Sequence, residues 1–226
     1  MKTQTAPDPK QGILDAAIGL FARKGFSATG VREIAQGAKV NIAMISYYFG
    51  SKRGILEAAL NMFFQRYLEV AEQALDGDDP PEQKMRRFIR SIVMLLRNNN
   101  DLVRIAFTEL PFDMPEIAAF KAEHGRKIAA LFQNKLLSAM EGRLPRPIRL
   151  EIVGPAFTGM LVSHFLLRPV LEGVFNTSFN ETFYEQYAAE IADLLFYGVL
   201  GTQHEFHADE DNKRKNKLSE GNPSQR

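Results

Sequence analysis

The chain is 226 residues long, 45% hydrophobic and 24% charged, with a net charge of +1 and no cysteine. That composition supports a real core and excludes wholesale disorder, disulfide frameworks, thiolate metal sites and cysteine nucleophiles. No apolar run approaches the roughly 18 residues of a membrane span and the N-terminal residues carry no apolar signal region, which points to a cytoplasmic protein with no membrane partner.

Charge is unevenly spread. Residues 1–60 carry a net +4 and the remainder a net −3. A small basic part on an acidic body suits an anionic partner for the N-terminus.

Taken in order, the segments read as helices. Asp8-Pro9-Lys10-Gln11 supplies an N-cap carboxylate, a proline for the first turn and a glutamine three residues on. Asp79-Pro80-Pro81-Glu82 and Asp113-Met114-Pro115-Glu116 repeat that chemistry. Ile13, Leu14, Ala17, Leu20 and Phe21 form a helical apolar stripe, and Gly25 is placed to end that helix in a left-handed conformation. The pattern predicts nine helices near 9–24, 31–37, 41–47, 52–75, 80–97, 100–110, 115–141, 147–171 and 180–200. Period-2 alternation is absent, so the fold class is all-α.

The first three helices are short and the later ones long, which places a boundary near residue 60. The expected domains are 1–60, 61–202 and a tail at 203–226. The tail is rich in charge and holds only Phe206 and Leu218 as large apolar groups, so disorder is expected there. No flexible linker interrupts the fourth helix, so head and body are mechanically joined. Gly154-Pro155 and Arg168-Pro169 are expected to kink or break the eighth helix.

The chemistry concentrates in residues 26–56. A short helix with Val31, Ile34 and Ala35 is followed by a tight turn at Gly37–Val40, and Asn41 caps a second short helix. Helix, short turn and helix is the geometry that lets a second helix enter a DNA major groove about 12 Å wide. Enzymatic fingerprints are missing: there is no nucleophile elbow, P-loop, dinucleotide fingerprint or helical His-Glu metal pair. No cofactor, no metal and no catalytic role are expected.

This segment resembles the DNA-binding domain of the TetR (tetracycline-repressor-like) family of transcriptional regulators. Thr29, Val31, Arg32, Ile34, Ala35, Ala38, Val40, Ile45, Tyr48, Phe49, Ser51 and Lys52 match the family pattern in register, and Phe21, Gly25 and Phe26 match its opening. The likeness covers about residues 10–60. Lys39 stands where the family usually has glycine, Asn41 replaces a serine cap, Ala43 a glycine and Ser46 a frequent tyrosine. A lysine held at positive φ there costs about 1 kcal/mol, or the turn differs slightly; Lys39 could instead add a phosphate contact.

The resemblance implies that Ile42, Ala43 and Met44 read bases, with thymine methyls favoured by apolar side chains. It implies phosphate contacts by Thr29, Arg32, Ser46, Tyr47, Tyr48 and Lys52, and it puts Asn41 in the same DNA-binding set. Ser51 at an N-cap beside Lys52 gathers amides and an ammonium where an anion binds well. Tyr47 and Tyr48 alternatively pack against the first helix.

Beyond residue 60 aromatics and methionines crowd together. Phe63, Phe107, Phe112, Phe132, Phe157, Met160 and His164 are either core or the lining of a pocket for a small-molecule effector. Phe157, Leu161, Phe165, Tyr187, Ile191, Leu194 and Leu195 lie on the last two long helices, through which the resemblance implies a homodimer. The reading is therefore a three-helix DNA-binding domain on a larger ligand-binding and dimerisation bundle. Its function is repression at a palindromic double-stranded operator, relieved by an unknown small molecule. The alternative is a helix-turn-helix protein controlled by a protein partner or by abundance, without a ligand.

Overall fold

The computed structural model describes residues 8–109, 115–140 and 148–199. Every regular element among them is helical. The head consists of α1 (Pro9–Lys24), α2 (Val31–Gly37), α3 (Ile42–Phe49) and the start of α4 (Lys52–Leu75). The body adds α5 (Pro81–Asn98), the short α6 (Asn100–Arg104) running into a π-helical turn at Ile105–Glu109, and α7 (Pro115–Phe132). It closes with α8 (Leu150–Phe175) and α9 (Glu181–Asp193). The expected tail and Phe112 lie outside the described residues.

Local chemistry explains the starts and stops. The carboxylate of Asp8 accepts from the Lys10 amide at 3.0 Å, Asn41 from the Ala43 amide at 2.9 Å and Asn180 from the Phe183 amide at 2.9 Å. Ser51 Oγ accepts from the Gly54 amide at 3.1 Å. Each satisfies a donor that the helix cannot. Asp79 departs from this scheme. The helix begins at Pro81, and the Asp79 carboxylate accepts from Arg87 at 2.6 Å instead. Two consecutive prolines bring the chain into α5 with fixed φ, and the aspartate is left for a tertiary partner.

The turn between α2 and α3 is a Schellman closure. The Val40 amide donates to the Ala35 carbonyl at 3.0 Å and the Lys39 amide to the Gln36 carbonyl at 3.1 Å. That pair of bonds requires a left-handed residue between them, and Lys39 occupies it with φ 56°.

One core runs through head and body. Ile13, Ala17 and Phe21 of α1 meet Ile34 of α2, Ile45 of α3 and Ile55, Ala59 and Leu60 of α4, all fully buried. Ile45 is the sole fully buried residue of α3, with Met44, Tyr48 and Phe49 packed on the core around it. The far half of α4 buries Ala71, Ala74 and Leu75 against α5, whose inner stripe is Met85, Phe88, Ile89, Ile92, Val93 and Leu96. α1 also packs on α6 and on the π-helical turn, so head and body share more than one helix.

Two expectations about α8 change. The helix continues through both Pro155 and Pro169 over 26 residues. Both prolines are exposed, and their missing N–H groups leave the carbonyls of Glu151 and Phe165 without a helical partner. The same helix is long and apolar enough to cross a membrane by length and composition, with mean hydropathy 1.5 in its most apolar window, 28% of it buried. Polar interruptions such as His164 and Arg168 conceal this in the sequence.

The expected dimer residues also divide. Phe157, Leu161, Phe165 and Leu195 are buried inside the protomer, Tyr187 and Ile191 are half-buried, and Leu194 is exposed. Alongside Leu194, further apolar groups are left in solvent: Ile152, Leu167, Val170, Val174 and Phe175 of α8, with Tyr197 beyond α9. Both sides of α8 are apolar, so periodicity did not tell the inner stripe from the outer one.

Changing Lys39 to Gly should relieve the left-handed strain of about 1 kcal/mol and raise the melting temperature by about 2–4 °C. An unchanged or lower midpoint in a thermal scan would show that the lysine is not strained there.

Candidate nucleic-acid interface

α3 is held by Ile45 and turns the rest of its surface outward. Ile42, Ala43, Ser46 and Tyr47 are exposed, Tyr47 to 82%. Met44 and Tyr48 are half-buried and pack on the core. The Tyr47 and Tyr48 rings meet edge to face at 4.9 Å. Of the expected base-reading trio, Ile42 and Ala43 are thus fully presented and Met44 only in part. Arg32 and Lys39 are exposed on the same subdomain. The Asn41 side-chain oxygen is committed to its cap.

Two expected phosphate contacts are placed differently. Thr29 is only 1% exposed and its hydroxyl donates to the Gly25 carbonyl at 2.8 Å. Its side chain closes the loop after α1. Lys52 turns back beneath the head. Its ammonium donates to the carbonyls of Phe26 and Thr29, each at 2.9 Å, and to that of Ser27 at 3.4 Å. It also lies 4.5 Å from the centre of the Phe26 ring. All three N–H donors are occupied, so Lys52 fastens the α1–α2 loop to the start of α4.

An acidic side chain near this surface is neutralised. Lys24 donates to Glu33, whose other oxygen accepts from the Gly30 amide at 3.1 Å and caps α2. The Lys24 bond holds the Glu33 carboxyl below its ordinary range, so it stays ionised and paired at neutral pH.

Among the described residues, the expected effector residues fall into separate ring clusters. Phe132 and Phe157 both contact Phe88, at ring distances of 4.8 and 6.2 Å. Phe63 belongs to a second group with Phe64, which stacks on Phe120 and His124. His164 and Met160 belong to a third, around Tyr187 and Tyr184. Phe107 is half-buried on the π-helical turn. His164 is buried, and burial followed by the nearby Arg168 pushes its imidazole below the ordinary range. Burial pushes the Tyr187 hydroxyl up to about 12, so it remains a donor, to the Met160 carbonyl at 2.7 Å.

Some relevant groups escaped the sequence reading. His124 is 3% exposed, with Nδ1 on the Phe120 carbonyl at 2.9 Å and Nε2 lacking a hydrogen-bond partner. One turn earlier on α7, Lys121 donates to the Ala106 carbonyl in the π-helical turn at 2.8 Å. Arg86, Arg90 and Arg97 of α5 pair with Asp193, Glu185 and Glu181 of α9 at 2.7, 3.0 and 3.7 Å. The arginine spacing of four and seven, facing an acidic stripe of reversed order, was the available signal for that antiparallel pair. Among the described residues no group of three or more His, Asp or Glu side chains could hold a metal ion.

Comparison with known proteins agrees with this geometry. Residues 13–64 match the family described as bacterial regulatory proteins, tetR family. The probable HTH-type transcriptional regulator YttP of Bacillus subtilis is 31% identical over 190 residues, spanning 80% of this chain and 89% of that protein. The HTH-type transcriptional repressor NicS of Pseudomonas putida is 32% identical over 110 residues, 48% of this chain and 51% of that one. Among solved structures, the fatty acid degradation regulator FadR of Bacillus halodurans superposes with a TM-score of 0.70 at 18% identity, over 87% and 98% of the two chains. The regulator FadR of Bacillus subtilis, solved with stearoyl-CoA, gives 0.69 at 18% identity over 85% and 99%.

Changing Lys52 to Met should remove charge-assisted bonds and lower stability by about 2 kcal/mol, or about 4–8 °C in melting temperature. DNA affinity should fall with the salt dependence preserved. A salt slope lowered by about 0.9 without loss of stability would place its charge on a phosphate.

Proposed function

The chain belongs to the TetR family of bacterial transcriptional regulators, and from that premise we propose that it represses transcription as a homodimer on a palindromic operator and releases it on binding a small molecule in the body. The observation that carries this reading is the presentation of α3. One buried isoleucine seats it, its outer face is exposed, and it leads within three residues into α4, which continues into the body.

In this reading residues 1–60 are the DNA-binding part and 61–202 the effector and dimer part. Ile42 and Ala43 face base edges, with Met44 at their margin. Arg32, Lys39, Ser46 and Tyr47 reach the phosphates, with Tyr48 beside them on the core. Thr29 and Lys52 shape the loop from which α2 starts, and act on DNA through position. Two such heads one helical turn apart, about 34–36 Å, fit a two-fold symmetric site.

The exposed apolar face of α8 supports the dimer. Leu167, Val170, Val174 and Phe175, with Leu194 and Tyr197, are each half exposed or more. A second copy covers such a face by a two-fold contact. In this reading the apolar character of α8 belongs to a protein partner, and the molecule works in the cytoplasm with the chromosome. A ligand shifts the dimer only through different affinities for its two head spacings. α4 and the α6 turn both touch the head, so they are the routes for that difference.

Fluorescence anisotropy against the DNA flanking its own gene, in a salt series with nonspecific competitor, tests the reading. Tight, competitor-resistant binding with a steep salt slope is expected. Arg32→Ala should lower that slope by about one, and Ile42→Ala should change which operator variants bind best. Weak binding that competitor abolishes at every site tried would contradict the proposal.

A further inference from the structure

An open groove of about 650 Å³ runs between the far half of α4 and α5. It lies apart from the aromatic clusters described above, and none of the expected effector residues lines it. Its floor includes Val70, Met94 and Leu95, and its walls carry Arg66, Arg87 and Arg90. No carboxylate is among its lining residues.

The three arginines differ in commitment. Arg87 is fixed: Nε donates to the Ala74 carbonyl at 2.7 Å, one terminal nitrogen to the Asp76 carbonyl at 2.8 Å and the other to Asp79. Arg66 pairs with Glu69 at 3.0 Å and Arg90 with Glu185 at 3.0 Å, and both side chains are more than 60% exposed. Exposed single pairs of this kind are weak and exchange partners readily. A guanidinium offers a fork of donors that matches an oxyanion better than one monodentate carboxylate uses it.

We propose that the α4–α5 groove binds an amphiphilic anion, whose carboxylate or phosphate headgroup is held by Arg66 and Arg90 and whose apolar chain lies on Val70, Met94 and Leu95. Arg90 is also the middle rung of the α5–α9 ion-pair ladder. An anion in the groove takes Arg90 from Glu185 and loosens α9 at that rung while it bridges α4 and α5. The groove is thus placed to influence both the helix that reaches the head and the helix beside the exposed apolar face. That regulatory consequence rests on the function proposed above; the site itself does not.

Isothermal titration calorimetry of the full chain, without DNA, tests the site. The probes are decanoate and decyl phosphate below their micellar concentrations, with 1-decanol as the uncharged comparison. At least one anion should bind, about tenfold or more tighter than decanol, and the tighter anion names the headgroup. Arg66→Gln and Arg90→Gln should each weaken it about tenfold, and Arg149→Gln, at the start of α8, should not. Glu185→Gln should tighten binding about two- to fivefold by releasing Arg90. A purely structural role for Arg90 predicts the opposite sign for Glu185→Gln. Absence of binding by either anion, or equal binding by Arg66→Gln and Arg90→Gln, would overturn the site. Because no DNA is present, failure of the repressor reading leaves this result interpretable.

Discussion

The structure depends on α4 being one helix with two jobs. Its first half must bury Ile55, Leu56, Ala59, Leu60 and Phe63 beneath the head. Its second half must bury Ala71, Ala74 and Leu75 against α5. Twenty-four residues at 1.5 Å each give a rod of about 36 Å, and both ends are pinned by a cation on main-chain carbonyls. At the start, Lys52 holds three carbonyls of the α1–α2 loop. At the end, Arg87 reaches from α5 to the carbonyls of Ala74 and Asp76, which the helix leaves unpaired. A rod fixed in this way has few soft degrees of freedom, so α3, packed against it, takes its position from the body.

A second contact joins head and body. α1 packs on α6 and its π-helical turn, and Lys121 from α7 holds a carbonyl of that turn. π-helical turns are frequent at functional sites. The head is therefore located by two supports, α4 and the α6 turn. Changing the angle between them requires repacking of one shared core. On the far side, the arginine ladder of α5 sets the register of α9, and α8 and α9 interlock through the ring cluster around His164 and the Tyr187 hydroxyl.

Much of the fold was legible because its determinants are local. Asp8, Asn41 and Ser51 announce helix starts by their own side chains, and Gly25 announces a stop with φ 84°. The spacing of two short helices announced a tight turn at Gly37–Val40, and the family resemblance singled out Lys39 as the position of its left-handed residue. Tertiary choices were not legible. Nothing near Lys52 in sequence says that its ammonium turns inward to residues more than twenty positions away, and a lysine beside an N-cap reads as an anion site. Thr29 at a helix start reads as a phosphate contact until burial shows its hydroxyl closing the preceding loop. The apolar stripe of α8 was visible, but its inner and outer faces are equally apolar. Asp79 was read as a cap because Asp-Pro is a strong local signal, and the distant Arg87 outweighed it.

The proposed repressor holds its two heads at the spacing of a DNA turn. The chain has no cysteine, so Ser46→Cys, exposed in the middle of α3, gives one spin label per protomer. Double electron–electron resonance on this variant, free of DNA, measures the separation of the two reading helices. A narrow distribution centred near about 35 Å, after allowance for the label, is the expected result. Absence of dipolar modulation, or a broad distribution without a dominant distance, would contradict the claim.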